Sequence, residues 1–451
     1  MARERFDVVI LGGGNAGIGV TGPARAAGLS VAIIEARDLG GTCPNRGCTP
    51  KKILIAAGHA LDEISRAKAH GIALEQPKLD WAALIDREQA MVAPIPSQLL
   101  TSMQRRGVEV IRGEGRFVAP DIVRVGDRYL EAKHIVIATG SRPRSLAFPG
   151  ADNLVTSDDI LTDRTLPRSA VFIGGGVISL ELGHVYARAG VEVTILETLS
   201  QLLPAVEPAA VEILQRECER IGIRTLTGIN VLRIDKKSNG QLDIVFRHRD
   251  REKSVATDRA VNGAGRIANV DDLDLSAGNV AHADGRISLD PWLRSVSNPL
   301  VYVCGDAVPT TPQLSPVATY EGGLVGRNIV EEARHVPNYD ALATSVYTVP
   351  SLASVGLTEQ AARRNGHKIR VHDTDMSGWL SARTYAETIA WARIIIDETS
   401  GLVLGAHLVG HASEELINLF ALAIEHRIPA ASLKSRIYAY PTFASDIKNL
   451  L

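Results

Sequence analysis

Twice in this chain an apolar run ends in clustered glycines, passes into a helical stretch, and is followed by a second apolar run closing on an acid. The first copy has Phe6 to Leu11, then Gly12-Gly-Gly-Asn-Ala-Gly17, a helix rich in Ala and Gly, and Ser30 to Glu35. Gly12 permits a tight turn, Gly14 lets the backbone approach a pyrophosphate, and Gly17 lets helix and strand pack closely. The helix N-terminus supplies positive potential for phosphates. Glu35 falls about 20 residues past the glycines, where an acid accepts from ribose hydroxyls. The second copy runs from Ser169 to Ile173, through Gly174-Gly-Gly-Val-Ile-Ser179 and a helix over Leu180 to Ala189, to a strand over Val191 to Glu197. Ser179 replaces the last glycine with another small residue. Both copies keep their glycines, with Gly174 and Gly176 in the second, and both keep the acid. Two bound dinucleotides are therefore expected. Glu197, with Thr-Leu-Ser-Gln after it, favours a free 2′-hydroxyl and hence NAD(H), since a 2′-phosphate wants an arginine or lysine there.

Three smaller strand ends carry similar chemistry: Ala138-Thr139-Gly140, Gly265-Arg266 and Gly305-Asp306. Ligands bind at such carboxyl edges of parallel strands. Asp306 is a candidate acceptor for a ribityl or ribose hydroxyl, and equally a candidate helix cap.

Composition bounds the class. A chain of 451 residues is too long for one core, and roughly three domains of about 150 residues are expected. Apolar residues make up 45% and charged residues 22%, ordinary for a soluble enzyme. A net charge of −2 and 4% aromatics exclude a nucleic-acid platform. No apolar leader precedes Phe6 and no run is long enough to span a membrane, so a cytoplasmic protein is expected. Four cysteines are too few for a secreted disulfide scaffold. In a reducing cytosol a disulfide is more readily catalytic than structural.

Two of the four stand in Gly40-Gly-Thr-Cys43-Pro-Asn-Arg-Gly-Cys48-Thr-Pro-Lys51-Lys52, just after the first nucleotide unit. Two thiols there point to electron transfer through a dithiol/disulfide pair. Five residues of regular helix turn about 500°, so the sulfurs share no helix face. A disulfide needs a distorted helix, which Gly47 and Pro50 favour. Arg46, Lys51 and Lys52 are expected to favour a thiolate. Cys304 reads as core and Cys218 as packing on an amphipathic helix, and no metal site is expected.

These residues, with Leu314-Ser-Pro-Val-Ala318, Val349 to Glu359 and Gly405 to Gly410, resemble the pyridine nucleotide–disulfide oxidoreductases: glutathione reductase, dihydrolipoamide dehydrogenase and mercuric reductase. The resemblance runs in order over nearly the whole chain. It implies an α/β fold of two Rossmann-like dinucleotide-binding domains plus an α+β C-terminal dimerisation domain. The implied bounds are an FAD domain at 1–150, an NAD(P) domain at 151–265, a return to the FAD domain at 266–335, and an interface domain at 336–451. FAD is implied at the first site, NAD(P)H at the second, and a homodimer as the active form. Cys48 is then the thiol nearest the flavin and Cys43 the one that meets substrate. Lys51 lies beside the flavin and Glu181 is its ion-pair partner. Thr42, Lys52, Thr139, Gly140, Gly265, Arg266, Gly305, Asp306, Leu314 and Ala318 line the cofactors, with Ser315 among them.

The pattern departs near the C-terminus. The family has His-Pro-Thr-x-x-Glu, whose histidine protonates a leaving thiol. Here Tyr440 stands at the histidine, Ser445 at the glutamate and Asp446 one residue later. Histidine passes protons both ways near neutrality, whereas tyrosine is ordinarily a neutral donor. Reduction by NADH of a small disulfide is therefore favoured over oxidation of a dithiol. Dihydrolipoamide dehydrogenase and mercuric reductase stand as alternatives, the latter weakened because the chain ends without a cysteine pair. A flavin-binding regulatory protein without turnover is a further alternative. His411 and His426 are expected to be surface or packing residues.

Overall fold

The strand Arg3–Leu11 has parallel partners on both sides, Val31–Glu35 and Arg128–Ile137. Its later residues, Val8 to Leu11, are buried, as a strand covered on both faces requires. The computed structural model describes residues 3–75, 77–331 and 335–451. The chain packs as two compact units, and both draw on discontinuous stretches.

The first unit comprises Met1–Lys51, Ile85–Ser145 and Gly265–Asn338. Its seven-stranded sheet has the order Val108–Arg112, Val31–Glu35, Arg3–Leu11, Arg128–Ile137, Ile122–Val125, Gly115–Ala119, with Val301–Val303 also paired to Arg128–Ile137. The pairs among 108–112, 31–35, 3–11, 128–137 and 301–303 are parallel, and the last two strands form an antiparallel hairpin. Strand order reverses between Arg3–Leu11 and Arg128–Ile137, and an open α/β sheet binds its ligand at such a switch point, beyond the strands' carboxyl ends. Gly12, Ala138-Thr139-Gly140 and Gly305-Asp306 all follow parallel strands at that edge. The helices Asn15–Ala26 and Ser315–Glu331 pack against each other in this unit. Three glycines open their contact: a Cβ on Gly322 would lie 2.1 Å from Ala16 O, and Gly19 and Gly326 are similarly crowded.

The second unit comprises Lys52–Leu84, Leu146–Ala264 and Tyr339–Leu451. It repeats the motif with a parallel sheet ordered Arg224–Leu226, Glu192–Leu196, Ser169–Ile173, Arg259–Asn262. Gly174 follows the strand Ser169–Ile173 as Gly12 follows Arg3–Leu11. A three-stranded antiparallel sheet lies over 229–257. A five-stranded antiparallel sheet, ordered 344–346, 351–356, 403–410, 391–397, 369–375, is covered by the helix Ser413–Glu425 through Ile417, Phe420 and Ala423. No helix among the described residues is long and apolar enough to cross a membrane.

Candidate active site

The two nucleotide turns are built alike. Gly12 has φ +106° and Gly174 φ +103°. A Cβ on Gly12 would lie 2.3 Å from Ala138 O, and one on Gly174 2.4 Å from Gly263 O, so each turn touches the neighbouring strand end. Each following helix, Asn15–Ala26 and Val177–Arg188, starts from a glycine without a side-chain cap. The first-turn N–H groups are therefore not answered by a capping side chain, which is the condition for binding a phosphate.

Each acid grips its own turn. Glu35 accepts from the N–H of Gly13 at 2.7 Å and of Arg37 at 2.7 Å. Glu197 accepts from Gly175 N–H and from Leu199 N–H, the latter at 2.7 Å. A carboxylate has about four acceptor positions, so each acid keeps capacity for hydroxyl donors. Close packing at the third position is solved differently in the two copies. A Cβ on Gly17 would fall 2.0 Å from Gly12 O. Ser179 does carry a Cβ, and the space beside its hydroxyl is left by Gly263, whose own Cβ would lie 2.0 Å from Ser179 Oγ.

The cysteine stretch is a broken helix. Thr42–Arg46 is one short helix and Cys48–Arg66 the next, with Gly47 at φ −144°, ψ −110° between them. Pro50 sits in the first turn of the second helix, where its missing N–H costs nothing. The break removes the regular rotation that would separate the two sulfurs. Both thiols are free, Cys43 half-buried and Cys48 exposed.

Cys43 is pushed down to about 6, chiefly because Cys48 donates to it, with Ser315 and Asn15 as further donors and burial opposing. Cys48 is pushed up, first by that same hydrogen bond, while Lys51 favours its ionised form. The pair thus carries one negative charge, centred on Cys43. Asn15 Nδ2 donates to Ser315 Oγ, which leaves the Ser315 hydroxyl proton for the sulfur. Asn15 opens the fingerprint helix and Ser315 opens the helix Ser315–Glu331, so the thiolate lies between two helix N-termini.

Arg46 has a partner of its own: its guanidinium pairs with Asp38 at 2.5 Å. Lys52 has other partners too: its ammonium lies 3.7 Å from the Tyr347 ring centroid and 3.9 Å from Glu414. Glu181 is buried and accepts from Tyr347 N–H at 2.8 Å.

At the strand ends, Ser141 donates to Asp306 at 2.8 Å and accepts from Arg266 Nε at 2.9 Å. Asp306 lies in a short 3-10 turn, Gly305–Ala307, and caps no α-helix. Thr139 Oγ1 is buried without a hydrogen-bond partner among the described residues. Gly140 and Gly265 take positive φ, and Gly265 O accepts from Arg144 N–H at 3.0 Å. Thr42 is the exposed first residue of its short helix. Leu314 accepts from Ala318 N–H at 2.9 Å, closing the first turn after it. The sequence did not signal Ser141 or Asn15 as functional. Each acquires a role from a residue far along the chain.

At the C-terminal segment, Tyr440 is 71% exposed and precedes a cis Pro441. Ser445 is occupied otherwise than a glutamate there would be. It closes a capping box with Thr442, whose hydroxyl accepts from Ser445 N–H at 3.1 Å, and its own hydroxyl donates to Thr442 O at 2.6 Å. Asp446 accepts from Ser381 Oγ.

The family described as pyridine nucleotide-disulphide oxidoreductase matches residues 6–322, and its dimerisation domain matches 342–451. The chain belongs to the pyridine nucleotide-disulphide oxidoreductase family. This member is 30% identical to a dihydrolipoyl dehydrogenase of Chlamydia muridarum over 98% of the chain and 95% of the relative. It is 29% identical to a mercuric reductase of Bacillus cereus over 98% of the chain and 70% of that protein. The Cu(II) complex of the HOCl-induced flavoprotein disulfide reductase RclA from Escherichia coli has the same fold, with a TM-score of 0.89, 24% identity and 99% of each chain covered. This oxidoreductase is accordingly an FAD-dependent disulfide oxidoreductase working with NAD(P)H, an enzyme of mixed α/β fold with a C-terminal dimerisation domain. The uncapped helix, the crowded Gly12 turn and the unpartnered Thr139 hydroxyl fit FAD at the first site.

Proposed function

We propose that this enzyme uses NADH to reduce a small disulfide through Cys43 and Cys48. What carries the reading is the Cys43 thiol, held at about 6 by donors from Cys48, Ser315 and Asn15 at the ligand edge of the first sheet. FAD, when bound, relays two electrons from the nicotinamide to the cysteine pair. The thiolate of Cys43 then attacks one sulfur of the acceptor, whose S–S bond breaks as a mixed disulfide forms. The leaving thiolate takes a proton. Cys48 gives up its proton and attacks Cys43 Sγ, which releases the second acceptor thiolate and restores the Cys43–Cys48 disulfide. Two electrons and the one proton of Cys48 thus leave the pair on two product thiols, and the second proton is drawn from solvent.

Lys51 steadies negative charge at Cys48, and Glu181 is assigned a part in handling the nicotinamide cofactor in the second nucleotide unit. Asp306, Ser141, Arg266 and Thr139 orient the first cofactor. Tyr440 donates to the leaving sulfur from the partner protomer of a homodimer, a reading supported by its exposure beside Ile437, which is 95% exposed. A phenol serves this direction and is a poor base for the reverse one. The domain bounds are taken as 1–150, 151–265, 266–335 and 336–451, and the site of action as the cytoplasm.

The test is steady-state turnover in both directions. NADH-driven reduction of 5,5′-dithiobis(2-nitrobenzoate) that is lost in Cys43→Ser supports the proposal. Oxidation of dihydrolipoamide by NAD at a rate matching or exceeding that reduction would overturn its direction. Turnover with Hg(II) but with no disulfide would move the acceptor to a soft metal ion.

A further inference from the structure

His411 follows the strand Val403–Gly410 and enters a three-ring cluster. Its imidazole stacks on Tyr385 at 5.0 Å and on Phe443 at 4.8 Å, and those two rings are 5.6 Å apart. The three distances form a triangle, so His411 touches both rings at once without being sandwiched between them. The ring is aimed by Glu387, whose Oε1 lies 3.0 Å from His411 Nδ1. A carboxylate accepts only, so Nδ1 carries the proton. Glu387 is itself fixed: its side chain is largely buried and pairs with Arg66 at 2.9 Å. Arg66 is the last residue of the helix that Cys48 begins, and it also donates to Tyr385 O.

Phe443 lies three residues past Tyr440, in the short helix Phe443–Asp446. That helix is held on its own unit by the stacked imidazole at Phe443, by Ser381 at Asp446 and by the burial of Ile447 directly after it. Tyr440 has no hydrogen bond of its own among the described residues, and Ser445, at the position that would aim it, is consumed by Thr442. The placing of Tyr440 therefore comes from its flanks: Tyr438 before it, whose hydroxyl donates to Leu433 O at 3.0 Å, and the anchored helix after it.

We propose that His411, aimed by Glu387, is the positioning residue for the C-terminal segment that presents Tyr440, taking over the orienting task that position 445 has given up. The inference rests on Tyr440 serving the acceptor half-reaction. His411 acts through Phe443 and the segment, without contacting the reacting sulfur itself.

The experiment compares His411→Ala, Tyr440→Phe and the double variant in the full-length, FAD-loaded dimer. Flavin reduction by NADH and steady-state reduction of bis(2-hydroxyethyl) disulfide, whose alkyl thiolate leaving group needs a proton near neutral pH, are measured separately. Tyr440→Phe is expected to lower kcat for the disulfide about a hundredfold, the low end for one proton donor, and His411→Ala several-fold. Neither changes the rate of flavin reduction, and the double variant is no slower than Tyr440→Phe alone. Multiplying effects would overturn the proposal by showing that His411 acts independently of Tyr440. A normal kcat in His411→Ala beside a slow Tyr440→Phe would overturn it while leaving the role of Tyr440 intact. A normal kcat in Tyr440→Phe would remove that role and the positioning with it. Should His411→Ala lose FAD or dissociate, Glu387→Gln, which keeps all three rings, is tested in its place under the same criteria.

Discussion

Gly263 leaves the space that the Ser179 hydroxyl occupies: a Cβ at 263 would lie 2.0 Å from Ser179 Oγ. The two residues belong to facing elements of the second nucleotide unit, the helix Val177–Arg188 and the end of the strand Arg259–Asn262. Gly263→Ala is expected to destabilise the enzyme by about 1–3 kcal/mol through overpacking, and Ser179→Gly in the same chain to restore most of it. Thermal unfolding of the single and double variants measures this. Equal destabilisation with serine or glycine at 179 would show that the contact is not the cause.

The Cys43 thiol gives a pH signature. Its ionisation lies at about 6, below its ordinary value, so the thiolate persists above that pH and is lost as pH falls through it. In NADH-reduced enzyme, iodoacetamide should alkylate Cys43 with a half-maximal rate near pH 6 and a plateau above. Ser315→Ala removes one donor and moves the midpoint upward. A midpoint that stays put would separate Ser315 from the sulfur.

Replacing either cysteine by serine should lower NADH-driven disulfide reduction by about a hundredfold or more, because the two act as one unit. FAD content should be unchanged, since serine keeps nearly the size and the hydrogen-bonding capacity of either thiol and leaves the Gly12 turn and the Asp306–Ser141–Arg266 chain, which hold the cofactor in this reading, as they are. Turnover is followed at 412 nm, where about two thiolates appear per NADH consumed in the parent enzyme. Either single variant retaining full activity would disprove the relay.

Nucleotide choice is assigned to Glu197. Glu197→Gln keeps an acceptor for the Gly175 or Leu199 N–H and removes the charge that disfavours a 2′-phosphate. The ratio of kcat/KM for NADPH over NADH is expected to rise by about tenfold. A parent enzyme that already prefers NADPH would refute the assignment before any variant is made.

Much of the fold was legible because the nucleotide turns are governed by local rules. Glycine spacing, an uncapped helix and a terminal acid are contiguous in sequence, and Gly12 and Gly174 take matching conformations for the same steric reason. The break between Cys43 and Cys48 was legible for a similar reason, since Gly47 is the flexible residue between them. What stayed hidden was set by distant neighbours. Asn15 meets Ser315, and Ser141 meets Asp306, across long stretches of chain that no spacing encodes. The ion pair of Arg46 was not legible because its partner Asp38 lies in a preceding loop rather than at a helical interval. His411 read as a surface or packing residue because neither Glu387, Tyr385 nor Phe443 is close to it in sequence.

Glu35 and Glu197 each bind the backbone of the glycine turn that precedes them, so both loops hold their form from within the protein. Protein stripped of its prosthetic group by acid and salt should consequently take up fresh FAD without first reordering its receptor loop, and reconstitution should proceed in one rapid phase. The same carboxylate that reads a nucleotide would then also act as the mould that keeps its cradle open between occupants.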